Sequence, residues 1–200
     1  MIKQTRYKNL FPKHLLSAPE ALLAGVLMSA AIMPPASAHM MAPQHGSLNF
    51  KGDGVFMVLS LPVSAFEKVD EDGDGKMSGE EFTTHRKAIA AAIKEKVKLT
   101  DKAGERPLQG LLLSPVAAHN IPGTDTQHAE QLVVLGRFAL ADMSSANSNE
   151  LQFHVGLFGN TVAEQTLTIT ATRKSASDSK PQKYKFVLTP GQPEQLLFAE

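Results

Sequence analysis

The chain has 200 residues, 20 basic and 20 acidic side chains, a formal charge of zero and no cysteine. That balance offers nothing basic enough to hold nucleic acid or an anionic membrane surface, and no disulfide framework can form. The length fits one modest domain with an additional segment.

The additional segment is N-terminal. Residues 1–16 carry Lys3, Arg6, Lys8 and Lys13 without an acid, residues 21–33 are an apolar run, and Pro34-Pro35-Ala36-Ser37-Ala38 follows. A basic region, a short apolar core and an A-x-A site make residues 1–38 a secretory signal peptide, cleaved after Ala38. The apolar run is too short to span a bilayer comfortably, so no membrane span is expected after cleavage. The expected mature domain, 39–200, is therefore periplasmic or secreted. Losing four basic residues and one acid leaves it with a formal charge of −3.

Such a domain begins His39-Met40-Met41, with His45 close behind. A terminal amine, imidazole and soft thioethers suit copper. Here the segment resembles small exported copper-carrier sandwiches whose mature chain starts with histidine. The resemblance implies a periplasmic copper-binding or carrier function as an alternative, and a frayed tail is the competing reading.

From Ala42 onward the periodicity is mostly two. Residues 47–50 and 55–61 read as strands joined at Gly52-Asp53-Gly54. Pro62 ends the second and starts a short helix expected over 63–69. Then comes FEKVDEDGDGKMSGEEF, residues 66–82. Asp70, Asp72 and Asp74 alternate, so three carboxylates can point at one centre. Gly75 permits a sharp turn at positive φ, Lys76 offers its carbonyl, and Ser78 can act directly or through water. Glu81 closes the run with two more oxygens. Ser78-Gly79-Glu80-Glu81 also reads as a capping box opening a helix.

Over about thirty residues this stretch resembles the EF-hand family, with matching residue types at loop positions 1, 3, 5, 6, 9 and 12. The resemblance implies a Ca2+ site with Asp70, Asp72, Asp74, Lys76, Ser78 and Glu81 as ligands, inside a helix-loop-helix at 63–97. EF-hands usually pair, but neither Asp142–Asn147 nor Asp101–Glu105 has the ligands for a second loop. Met77, at the position that meets a partner loop, must then pack on the rest of the domain or on another molecule.

Beyond the loop, Phe82, Ile89, Ile93 and Val97 share one helical face. Residues 97–100 and 107–113 read as strands around the turn 101–104. A polar stretch, 114–129, reads as a long loop. Alternation then resumes at Leu132, Val134, Phe138 and Leu140, and at Leu151, Phe153, Val155 and Leu157. It continues at Leu167, Ile169 and Ala171 with threonines on the other face, and at Tyr184, Phe186 and Leu188. Residues 174–182 read as a polar hairpin tip, and 195–199 as a last edge strand. The expected fold is mainly β (α+β), an antiparallel β-sandwich with the EF-hand inserted between its second and third strands.

An enzyme is the remaining class. His119, Asp125 and His128 share the long polar stretch, but no H-E-x-x-H, G-x-S-x-G or cysteine nucleophile accompanies them. His85 falls on the helix after the acidic loop, and His154 is expected to face solvent near Arg137. The sequence therefore reads as a non-enzymatic calcium-binding module, with calcium and an envelope protein as expected partners. In layout it resembles exported proteobacterial proteins that carry a lone EF-hand in a β-rich domain.

Overall fold

A computed structural model describes residues 41–117, 128–140, 150–174 and 180–198 of the unit Met40–Glu200. The expected signal peptide, His39, Met40, His119 and Asp125 lie outside the described residues.

The mainly-β expectation holds. Alternating apolar residues form two sheets. Strands β1 (His45–Lys51) and β2 (Gly54–Pro62) are an antiparallel hairpin turning at Gly52, whose φ of 60° suits a residue without Cβ. After β2 come a helix α1 (Gly79–Lys96) and β3 (Val97–Asp101), β4 (Gly104–Arg106), β5 (Leu108–Ala117), β6 (Ala129–Ala139) and β7 (Gln152–Val155). The chain ends in β8 (Leu167–Arg173), β9 (Gln182–Leu188) and β10 (Glu194–Leu196). One sheet has six strands in the order β5-β6-β2-β1-β8-β9, the other four in the order β10-β7-β3-β4. Among the described strands every pairing is antiparallel except that of β1 with β8.

The two sheets and the helix share one core. Leu48, Val55, Leu59, Leu132, Val134, Ile169 and Leu188 from the larger sheet are fully buried with Leu99, Phe153 and Val155 from the smaller. Phe138 on β6 meets Phe153 on β7 edge-on, with ring centroids 6.3 Å apart, a geometry that suits the aromatic quadrupoles. Ile89 and Ile93 of α1 enter the same cluster. Burial of this aliphatic and aromatic set is the main driving force for the fold.

Three expectations about local structure are corrected. The helix expected over 63–69 is only a 3-10 turn, Val63–Ala65. Val63, Phe66 and Val69 are all buried, but only Val63 lies within the turn. The chain leaves that turn extended at Phe66 and reverses at Lys68, whose φ is 60°. Second, a strand that was not expected, β4, occupies Gly104–Arg106 between the expected turn 101–104 and the strand expected over 107–113, which the structure starts at Leu108. β4 closes a hairpin on β3, while β5 crosses to the other sheet; Pro107, lacking an N–H, stands where the pairing changes sheet. Third, both ends of the stretch expected as a long polar loop over 114–129 are strand: β5 runs on to Ala117 and β6 starts at Ala129. Ser114 and Pro115 sit on an edge strand, where a solvent-exposed hydroxyl and a missing N–H are tolerated.

Candidate metal centre

The acidic stretch joins the 3-10 turn to α1. Asp70, Asp72 and Asp74 converge as the alternation requires: one carboxylate oxygen from each lies within 4.8 Å of the others. Among the described residues they are the only such group of histidines or carboxylates able to hold a metal ion.

The loop shapes itself around its own carboxylates. Asp70 accepts from the amides of Gly73 at 2.7 Å and Gly75 at 2.8 Å. Asp72 accepts from Asp74 at 3.1 Å, and Asp74 Oδ1 from Lys76 at 2.7 Å. Gly75 has a φ of 78°, a left-handed conformation in which a side chain would be strained.

Ser78 is the N-cap of α1. Its hydroxyl accepts from the amide of Glu81 at 3.2 Å, and Glu81 Oε2 accepts from the amide of Ser78 at 2.7 Å, the reciprocal pair of a capping box. Glu81 Oε1 reaches further and accepts from the amide of Glu71 at 2.7 Å. Bonds from Ser78, then Glu71, hold the Glu81 carboxyl at a pKa of about 2, against a reference of 4.5. Glu81 is buried while the loop ahead of it is largely exposed. It stays outside the aspartate cluster, tying the two ends of the loop together.

Met77 takes the first of the two courses open to it. Its side chain is buried in the domain core, and its backbone forms a bridge to Ala129 at the start of β6. Each amide donates to the other's carbonyl at 2.8 Å. This register brings in two residues with no sequence signal linking them to the loop. His128 Nδ1 lies 2.9 Å from Asp74 Oδ2, and Lys76 Nζ lies 3.4 Å from Glu130 Oε1. The His128 hydrogen bond, followed by that from the Lys76 amide, lowers the Asp74 pKa. His128, expected to share a small site with His119 and Asp125, lies against Asp74; the other two lie outside the described residues.

The other described histidines each have a separate partner. His85 on α1 sits 2.7 Å from Glu71. His154 faces Lys98 and Glu194 in the four-stranded sheet and is not beside Arg137, which pairs with Asp53 in the six-stranded one. Its strand alternation gave the outward direction but not which sheet it occupies. His45 is exposed, with Nδ1 2.8 Å from the carbonyl of Pro43.

Beside the loop, a cleft of about 300 Å³ runs from Asp70 and Gly75 to Ser64 and Asn160. Glu164 braces its far side, accepting from the Ser64 hydroxyl and the Thr161 amide, each at 3.0 Å. Among the described residues no helix is long and apolar enough to cross a membrane. Compared with known proteins, the chain matches no family model and no curated sequence.

Proposed function

We propose that residues 70–81 form a calcium site of EF-hand type, the single one of this chain, and that the protein is an exported binding or structural module rather than an enzyme. One observation carries the reading: three alternating aspartates place oxygens within 4.8 Å of each other around a glycine at positive φ. Calcium is a hard cation that takes six to eight oxygens at flexible geometry, which fits carboxylates, a carbonyl and water better than it fits nitrogen or sulfur. Asp70, Asp72 and Asp74 would hold it, with the Lys76 carbonyl and Ser78 completing the set and Glu81 turning inward from its capping position.

The entering side of this site is a 3-10 turn, so the loop hangs from one true helix and from the β-sheet. A module built this way gains stability and shape from the ion. Exported EF-hand sites work at roughly 10⁻⁴–10⁻³ M, where extracellular calcium keeps them largely filled. An envelope protein is the partner class such a module would serve.

Isothermal titration of the chain with calcium tests the reading directly. Saturable uptake of one ion is expected, lost in a variant carrying Asp70→Asn and Asp72→Asn together. Absence of heat at millimolar calcium overturns the proposal.

A further inference from the structure

We infer that residues 128–130, at the start of β6, are positioning residues of the metal centre, standing where a second EF-hand loop would stand in a paired site. The inference rests on the calcium reading above and adds to it the part of the fold that shapes the loop.

Three successive residues, His128 just before β6 and the first two of the strand, meet the loop. His128 holds Asp74, Ala129 exchanges both backbone bonds with Met77, and Glu130 faces Lys76. Asp74 is thereby fixed at both oxygens, Oδ1 by the Lys76 amide and Oδ2 by His128. The ionised carboxylate only accepts, so the Nδ1–H of His128 is the donor. A carboxylate oxygen has two lone pairs, so Oδ2 keeps one for a cation while His128 fixes its direction. Hydrogen bonds of this kind orient metal ligands and raise affinity. The Met77–Ala129 bridge lies between two buried residues and is shielded from water, so it sets the path of the chain between Lys76 and Ser78.

The arrangement also explains how one loop can stand without a partner loop. Its backbone is paired with a strand of the six-stranded sheet, so the sheet supplies the rigidity.

Calcium titration of the full chain and of two variants tests the inference. His128→Ala should weaken calcium binding about tenfold, the scale of a lost orienting partner, while His128→Gln, which keeps a donor, should stay within about threefold. Melting in chelator should be the same for all three, because the His128 contact is exposed. Amide exchange gives a second readout: calcium should slow exchange at Met77 and Ala129 as well as inside the loop. Unchanged or tighter binding by His128→Ala overturns the inference, as does a glutamine variant no better than alanine, or an exchange response confined to residues 70–76. If the unaltered chain takes up no calcium, the calcium reading falls and this inference with it. If that chain binds and the variants bind equally well, only the positioning role falls.

Discussion

Glu81 Oε1 lies 2.7 Å from the backbone nitrogen of Glu71, so a side chain in the first turn of α1 closes the loop that precedes the helix. The same carboxylate caps α1 through Ser78. Loop closure and helix initiation therefore depend on one ionised group.

That dependence fixes a pH response in the absence of metal. The Glu81 pKa is about 2 in the fold against 4.5 as reference, and the Glu164 pKa is also lowered; burial raises it, but bonds from Thr161, Ser64 and Asn160 outweigh that. A lowered folded-state pKa contributes stability above the unfolded value that is lost as pH falls through the folded one. With chelator present, the urea midpoint should hold between pH 7 and 5, then fall steadily from about pH 4.5 toward pH 2. A midpoint unchanged down to pH 3 would contradict the assignment.

Replacing the cap separates helix from metal. Ser78→Ala removes the hydroxyl that accepts from Glu81 and should cost about 1 kcal/mol even in chelator. Denaturant unfolding measures this, and a cost seen only with calcium present would mean the capping box does not hold α1.

Calcium itself should raise the melting temperature. At a hundredfold excess over Kd the gain is about 2.7 kcal/mol, several degrees for a domain of this size. Scanning calorimetry with calcium and with chelator checks it, and equal melting temperatures would remove the stabilising role.

Gly75→Ala should weaken the loop through its backbone. The site is open around Gly75, so the cost comes from a φ of 78° and not from a clash. About 1–2 kcal/mol is expected, seen as weaker calcium binding, a lower melting temperature, or both.

The β3–β4 turn carries a structural ion pair. Arg106 Nε and Nη2 donate to the two Asp101 oxygens, each at 2.6 Å, and the Asp101 side chain is 3% exposed. Arg106→Ala leaves that buried carboxylate without its counter-charge, with only the Ala103 amide donating to it, and should cost about 3 kcal/mol by urea unfolding. The calcium reading is unaffected by this result, because Asp101 bonds Arg106 and Ala103 and none of the loop's carboxylates.

Strand alternation was legible because it reports burial directly: the apolar sets at Leu132 to Leu140, at Leu151 to Leu157 and at Leu167 to Ala171 are the buried faces found. The aspartate spacing and the Ser78 cap were legible because their geometry is local. Pairing was not. Nothing near Pro107 says that β5 joins a different sheet from β4, and nothing near His128 points to Asp74. Both follow from register, which is set by contacts between segments far apart in the chain. The 63–69 helix was misread for a related reason. Proline followed by apolar residues suits a helix start, but burying Val63, Phe66 and Val69 together required an extended exit from the turn.

The lone parallel pairing has a consequence for how the molecule assembles. β1, near the beginning of the described unit, is hydrogen-bonded on one side to its hairpin partner and on the other to β8, so the six-stranded sheet has only four of its strands, ending at β1, until residues 167–173 are available. Contacts this distant along the chain make for slow folding. Fragments that stop before β8 should leave an open, sticky strand edge on β1, and a chain emerging from its N-terminus stays vulnerable until β8 has been released.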